Sequence, residues 1–86
     1  MIIGKKVWPE FFQKILDGDK TFELRLANFK CDSGDIMLLR EWNPNIKEYT
    51  GRVLEKEVTY VIKTKDLKFW SEEEIKKHGL QVISFK

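Results

Sequence analysis

Several residues that mark particular classes of protein are scarce in this chain of 86 residues. One cysteine, Cys31, excludes an internal disulfide framework and is most simply a reduced intracellular thiol. With His78 as the one histidine, neither a Ser-His-Asp triad nor a zinc site with spaced ligands can readily be built. There is no Gly-rich phosphate loop, and no apolar run approaches the ~20 residues of a membrane span. We therefore expect a cytoplasmic protein without a metal, a cofactor or a membrane partner.

A strong excess of charge of one sign is also missing. The chain has 16 Lys and Arg against 14 Asp and Glu, a formal net charge of +2. This balance neither requires nor excludes a nucleic acid, because a polyanion partner needs clustered positive charge. The hydrophobic fraction of 42% and the aromatic fraction of 13% are sufficient for a folded chain. The length fits a single domain over residues 1–86 with one small core, which we expect to be a monomer.

Periodicity and turn residues predict the order strand, helix, strand, strand, strand, helix, strand. Pro9 favours the first turn of a helix over residues 9–17, and Gly18 is typical of a left-handed cap. A second, short helix begins at a capping box formed by Ser71 and Glu74. The predicted strands cover residues 2–7, 21–26, 36–42, 52–63 and 81–85. These elements predict a mainly β, α+β domain with a mixed, curved sheet of about five strands, or a small barrel, and a helix packed on it.

The densest group of polar functions lies in residues 18–26. From Thr21 onward the side chains alternate, which places Phe22, Leu24 and Leu26 on one face of a strand and Thr21, Glu23 and Arg25 on the other. With Lys20 just before them, the two cations suit a phosphate or a base carbonyl, and Glu23 suits an exocyclic amino group. The alternative is an ordinary exposed strand face whose charges are solvated or paired across strands.

Other aromatic and basic residues are further candidates. Trp42 could stack on a base while Arg40 meets a phosphate, as in single-strand binding; alternatively, Trp42 covers the core and Arg40 and Glu41 are rim charges. Trp8 lies on the apolar stripe of the first helix, so that we expect it mainly in the core, with a wall of the cleft as the alternative. A basic surface from Lys5, Lys6, Lys63, Lys65 and Lys68 is possible, although a solvated face is the commoner outcome.

An ordered set of motifs resembles the ASCH domains (activating-signal-cointegrator homology). The hallmark-like motif is Gly18-x-Lys20-x-x-Glu23-x-Arg25 after a short helix, with further similar stretches at residues 6–12, 33–42, 49–52, 57–61 and 79–83. The set covers nearly the whole chain and is most similar to a small, uncharacterised single-domain branch. The resemblance implies a PUA-like pseudo-barrel with a cleft beside the helix, and RNA or a nucleotide as the partner.

Three functions remain open at this point. The preferred one is binding of RNA or a nucleotide by Lys20, Glu23, Arg25, Arg40, Trp42 and Lys6. The resemblance also implies a small amidohydrolase acting on acetylcytidine, since one ASCH branch uses a Lys and a Thr from this strand. Glu23 stands at the position of that Thr, and Ile3 at the position where a His is often found, so Lys20 and Glu23 would have to be the acid–base pair. The third is a protein-interaction domain that uses exposed strand edges and Trp residues.

Overall fold

The computed structural model describes residues 1–85 and has one mixed sheet. Its strands are β1 (Ile2–Val7), β2 (Ile36–Asn43) and β3 (Glu48–Glu57), in the order β1-β2-β3. β1 runs parallel to β2, and β3 runs antiparallel to it. The helices are α1 (Pro9–Leu16) and α2 (Glu72–His78), with a short 3₁₀ turn at Thr64–Asp66. The α+β class with two helices and a mixed sheet is therefore confirmed.

The prediction of about five strands is wrong, because the described sheet has three. Residues 21–26 and 81–85 form no strand, and β3 covers Glu48–Glu57 in place of residues 52–63. Around residues 21–26, side chains take the place of a neighbouring strand as hydrogen-bond donors to backbone carbonyls. Lys20 Nζ donates to the carbonyl of Phe22 at 2.6 Å, and the Arg25 guanidinium donates to the carbonyl of Lys6 in the edge strand β1. Leu24 and Leu26, predicted to face a core, are 71% and 80% exposed.

The core lies between α1 and one face of the sheet. Alternation in β2 directs Met37 and Leu39 toward the helix, where they meet its buried side chains Phe12 and Ile15. The apolar stripe of α1 is narrower than predicted. Trp8 remains 50% exposed, so its placement in the core is wrong.

The C-terminal cap of α1 and the N-terminal cap of α2 are formed by the residues that the sequence predicts. Gly18 follows α1 with φ 82°, and the N–H groups of Asp19 and Lys20 each donate to the carbonyl of Lys14 at 3.0 Å. In α2 the Ser71 hydroxyl accepts from the N–H of Glu74 at 3.2 Å, and the Glu74 carboxylate accepts from the N–H of Ser71 at 3.1 Å. Within residues 1–85, neither helix has the length and apolar character needed to cross a membrane.

Candidate functional site

The Glu23 carboxylate joins the two cations of the hallmark-like motif. Lys20 Nζ lies 2.8 Å from Glu23 Oε1, and Arg25 Nε lies 2.9 Å from Glu23 Oε2. The side chains of Lys20 and Glu23 are only 15% and 17% exposed. They are therefore not the freely solvated charges of an ordinary strand face. The end of α1 delivers Lys20 to this position, because the backbone after Leu16 is held by the carbonyl of Lys14.

A second group of predicted residues lies on the sheet face opposite the core. Lys6 Nζ lies 3.7 Å from the centroid of the Trp42 ring, and the Arg40 guanidinium carbon lies 4.1 Å from that of Tyr49. The rings of Trp42 and Tyr49 meet edge to face, with centroids 4.9 Å apart. Trp42 thus does not cover the core, and one face of its ring is already occupied by the Lys6 ammonium.

Arg25 connects the two groups. Its guanidinium binds both the Glu23 carboxylate and the carbonyl oxygen of Lys6. The predicted site residues Lys20, Glu23, Arg25, Lys6, Trp42 and Arg40 therefore form one continuous surface. Their participation in binding stays a prediction. Tyr49, which was outside the predicted strands and was not among the predicted site residues, lies in the middle of this surface.

Two adjoining clefts open on this surface. The basic cleft, of about 400 Å³, is lined by Gly4, Lys5, Lys6, Arg25, Arg40 and Tyr49. The aromatic cleft, of about 580 Å³, includes the rings of Trp8, Phe11 and Phe22 together with Lys20 and Glu23. Trp8 and Phe11 stack on each other, with centroids 6.5 Å apart. Lys6 and Arg25 line both clefts and form the boundary between them.

The cations of the basic cleft are held mainly by aromatic rings. Lys6 and Arg40 lie against Trp42 and Tyr49. Lys5 pairs with Leu39 on the other face of the sheet, and its Nζ lies 3.6 Å from the centroid of Phe29. Within residues 1–85, none of these three cations forms an ion pair. A cation–π contact orients a cation without neutralising its charge. The basic cleft therefore combines positioned positive charge with a lining that contains no carboxylate. Of the predicted basic surface, only Lys5 and Lys6 line either cleft.

Glu41 is a buried residue, which contradicts the alternative in which it is a charge on the rim. It is 4% exposed, and Arg52 binds its carboxylate as a fork, from Nε at 3.0 Å and from Nη2 at 2.8 Å. Thr50 Oγ1 donates to the same carboxylate. The hydrogen bonds from Arg52 hold the pKa of Glu41 below its usual range, although burial acts in the opposite direction. The same pairing raises the pKa of Arg52.

The ion pair of Glu41 and Arg52 organises a bulge that shapes the basic cleft. Arg40 pairs with Val53, but Trp42 pairs with Tyr49, so that residues 50–52 of β3 lie opposite Glu41 alone. Gly51 has φ 97°, a conformation that glycine adopts easily, and Glu41 binds the side chains on both sides of it. Bulges re-aim neighbouring side chains, and this one sets Tyr49 against Trp42 and Arg40. In the sequence, the adjacent Thr50 and Gly51 are the signal that could have predicted this bulge.

Comparison with known proteins identifies relatives of the chain. It is 32% identical over 75 residues to an uncharacterized 12.9 kDa protein in the GpA 3′ region of Escherichia phage P2. The alignment covers 87% of this chain and 64% of that relative, so the chain spans less than two thirds of the relative's length. No solved structure matches significantly. A family model described as a domain of unknown function (DUF3850) matches residues 4–74, a range that includes every lining residue of both clefts. The chain therefore belongs to the DUF3850 family.

Proposed function

We propose that this protein binds RNA or a nucleotide across the basic and aromatic clefts. The observation that carries the proposal is the pair of cations Lys6 and Arg40, positioned by the rings of Trp42 and Tyr49 and without an ion pair within residues 1–85. Phosphate groups are natural partners of such cations, and exposed aromatic rings bind bases by stacking. An adjoining pair of clefts, one basic and one aromatic, is suited to a ligand that has both groups.

The Lys20, Glu23 and Arg25 group supplies directional polar contacts beside the rings. A guanidinium carries five N–H donors, and the contacts of Arg25 with Glu23 and Lys6 use only part of them. Each carboxylate oxygen of Glu23 accepts one hydrogen bond from these cations and retains capacity for another. Glu23 is therefore suited to an exocyclic amino group, and Arg25 to a phosphate or a base carbonyl.

The fold that accompanies this function is the PUA-like pseudo-barrel of the ASCH domains. The hallmark-like motif supports this assignment, as does the β1–α1 unit followed by the parallel strand β2. Residues 21–26 and 81–85 support it as well. The Thr21 and Ser84 hydroxyls are 2.6 Å apart, and Arg25 reaches the edge strand β1. These contacts bring the two segments together and bring one of them to β1, which supports the proposed fold.

The proposal is tested by titrating the protein with short single-stranded RNA and following fluorescence anisotropy at several salt concentrations. We expect Lys20→Ala and Arg25→Ala to weaken binding, with the log–log salt slope falling by ~0.7 for each lost phosphate contact. Lys30→Ala is the matched control, because the Lys30 side chain is 77% exposed and lies outside both clefts. Absence of RNA and nucleotide binding at low salt would contradict the proposal.

A second candidate is hydrolysis of acetylcytidine to cytidine and acetate. It is favoured by the largely shielded Lys20 and Glu23 pair, whose charged atoms are 2.8 Å apart at the side of the aromatic cleft. In this reading the pair transfers the proton between the attacking water and the leaving amine. The test is incubation with acetylcytidine and chromatographic detection of cytidine. Unchanged substrate, or turnover that survives Lys20→Ala, removes this candidate.

A further inference from the structure

The arrangement of the two clefts points to one class of ligand and one orientation. We propose that the ligand is a 5′-phosphorylated nucleotide whose terminal phosphate enters the basic cleft and whose base enters the aromatic cleft. This inference rests on the proposed function and specifies it, since RNA binding alone requires neither a terminal phosphate nor a fixed direction.

The basic cleft suits a phosphate monoester better than an internal phosphodiester. A monoester carries a charge of about −1.5 to −2 at neutral pH, whereas a diester carries a single negative charge. Lys6 and Arg40 present two positive charges there that have no ion-pair partner within residues 1–85, and the lining contains no carboxylate to oppose an anion. The more highly charged phosphate therefore gains more from this cleft.

The aromatic cleft suits the base. Its apolar lining includes Trp8, Phe11 and Phe22, and Trp8 and Phe11 are 50% and 46% exposed. Rings that are half exposed retain surface on which a base can stack, and stacking tolerates any base. Lys20 and Glu23 line the same cleft and can contact the polar edge of a base.

Charge decides between the two possible orientations. The aromatic cleft is lined by two carboxylates, Asp19 and Glu23, which offset part of the positive charge of its lysines and Arg25. The lining of the basic cleft contains no carboxylate, and Lys6 and Arg40 form no ion pair within residues 1–85. The phosphate is therefore drawn to the basic cleft, and the sugar crosses the boundary formed by Arg25 and Lys6.

The orientation is tested by calorimetric titration with cytidine 5′-monophosphate and with cytidine. We expect the monophosphate to bind about 10- to 100-fold more tightly, as charge-assisted hydrogen bonds to phosphate predict. Arg40→Gln should remove most of this advantage and change the affinity for cytidine much less, whereas Phe22→Ala should weaken both ligands. Inorganic phosphate should compete with the monophosphate, and Lys30→Gln is the matched control outside the clefts.

The outcomes separate this inference from the proposed function. Equal affinity for the two ligands, or an equal effect of Arg40→Gln on both, overturns the inference even if the protein binds RNA. If RNA, the monophosphate and cytidine all fail to bind, the proposed function itself is wrong. A dinucleotide with only an internal phosphodiester should bind more weakly than one with an added 5′-phosphate, and the reverse order also overturns the inference.

Discussion

Glu41 is buried and its partner Arg52 is half exposed, so we expect the loss of either residue to change stability by a different amount. Glu41→Gln removes the negative charge but keeps an oxygen that can accept from Arg52, whose side chain is 45% exposed and can turn to water. We expect this variant to lose about 1.5–3 kcal/mol in the free energy of unfolding, the range for charge-assisted hydrogen bonds. With a urea dependence of about 1 kcal/mol/M, the unfolding midpoint falls by about 1.5–3 M.

Removing the other partner should have the larger effect. Arg52→Met keeps a long side chain over the Phe12 ring, whose centroid lies 4.9 Å from the guanidinium carbon, but leaves the Glu41 carboxylate buried without its cation. An uncompensated buried charge destabilises the folded state more than a lost ion pair at a half-exposed site. We therefore expect Arg52→Met to lower the urea midpoint at pH 7 further than Glu41→Gln does. Replacing both residues together, Glu41→Leu with Arg52→Met, should recover part of the loss.

The pH dependence provides the sharper test of this reasoning. In the native protein the folded-state pKa of Glu41 is lowered, so its stabilising contribution is present above about pH 4.3 and is lost as the pH falls through the folded-state value. In Arg52→Met burial becomes the larger influence and raises that pKa, so the buried carboxylate destabilises at pH 7. The difference in unfolding free energy between the native protein and Arg52→Met should therefore shrink toward low pH. A constant difference between pH 7 and pH 4, or a smaller loss than that of Glu41→Gln, would refute the argument.

Three further outcomes follow from single positions. Phe12→Ala should reduce the free energy of unfolding by about 3–5 kcal/mol in urea titrations, because Phe12 is 1% exposed at the centre of the core. Gly51→Ala should lower the melting temperature and the affinity for nucleotides together, because φ 97° strains any residue with a Cβ and the bulge positions Tyr49. Cys31 should react slowly with iodoacetamide at pH 8, since burial and then the negative charge of Asp35 raise the pKa of its thiol, and Asp35→Asn should accelerate the reaction.

The sequence by itself determined the elements that depend on neighbouring residues. Pro9 and Gly18 delimit α1, and the Ser71 and Glu74 capping box begins α2, because each signal acts through contacts only a few residues apart. Lys20, Glu23 and Arg25 could be recognised as a group for the same reason. Their spacing is short enough for one carboxylate to meet both cations directly.

Only the tertiary structure decided which segments form backbone hydrogen bonds with each other and in which register. Residues 21–26 alternate like a strand, yet the Arg25 side chain binds the carbonyl of Lys6, a contact between distant segments that alternation does not encode. In the same way the position of Tyr49, and the meeting of Glu41 with Arg52, follow from the register of β2 and β3. Register depends on the packing of a whole sheet face and on bulges, so local patterns do not specify it.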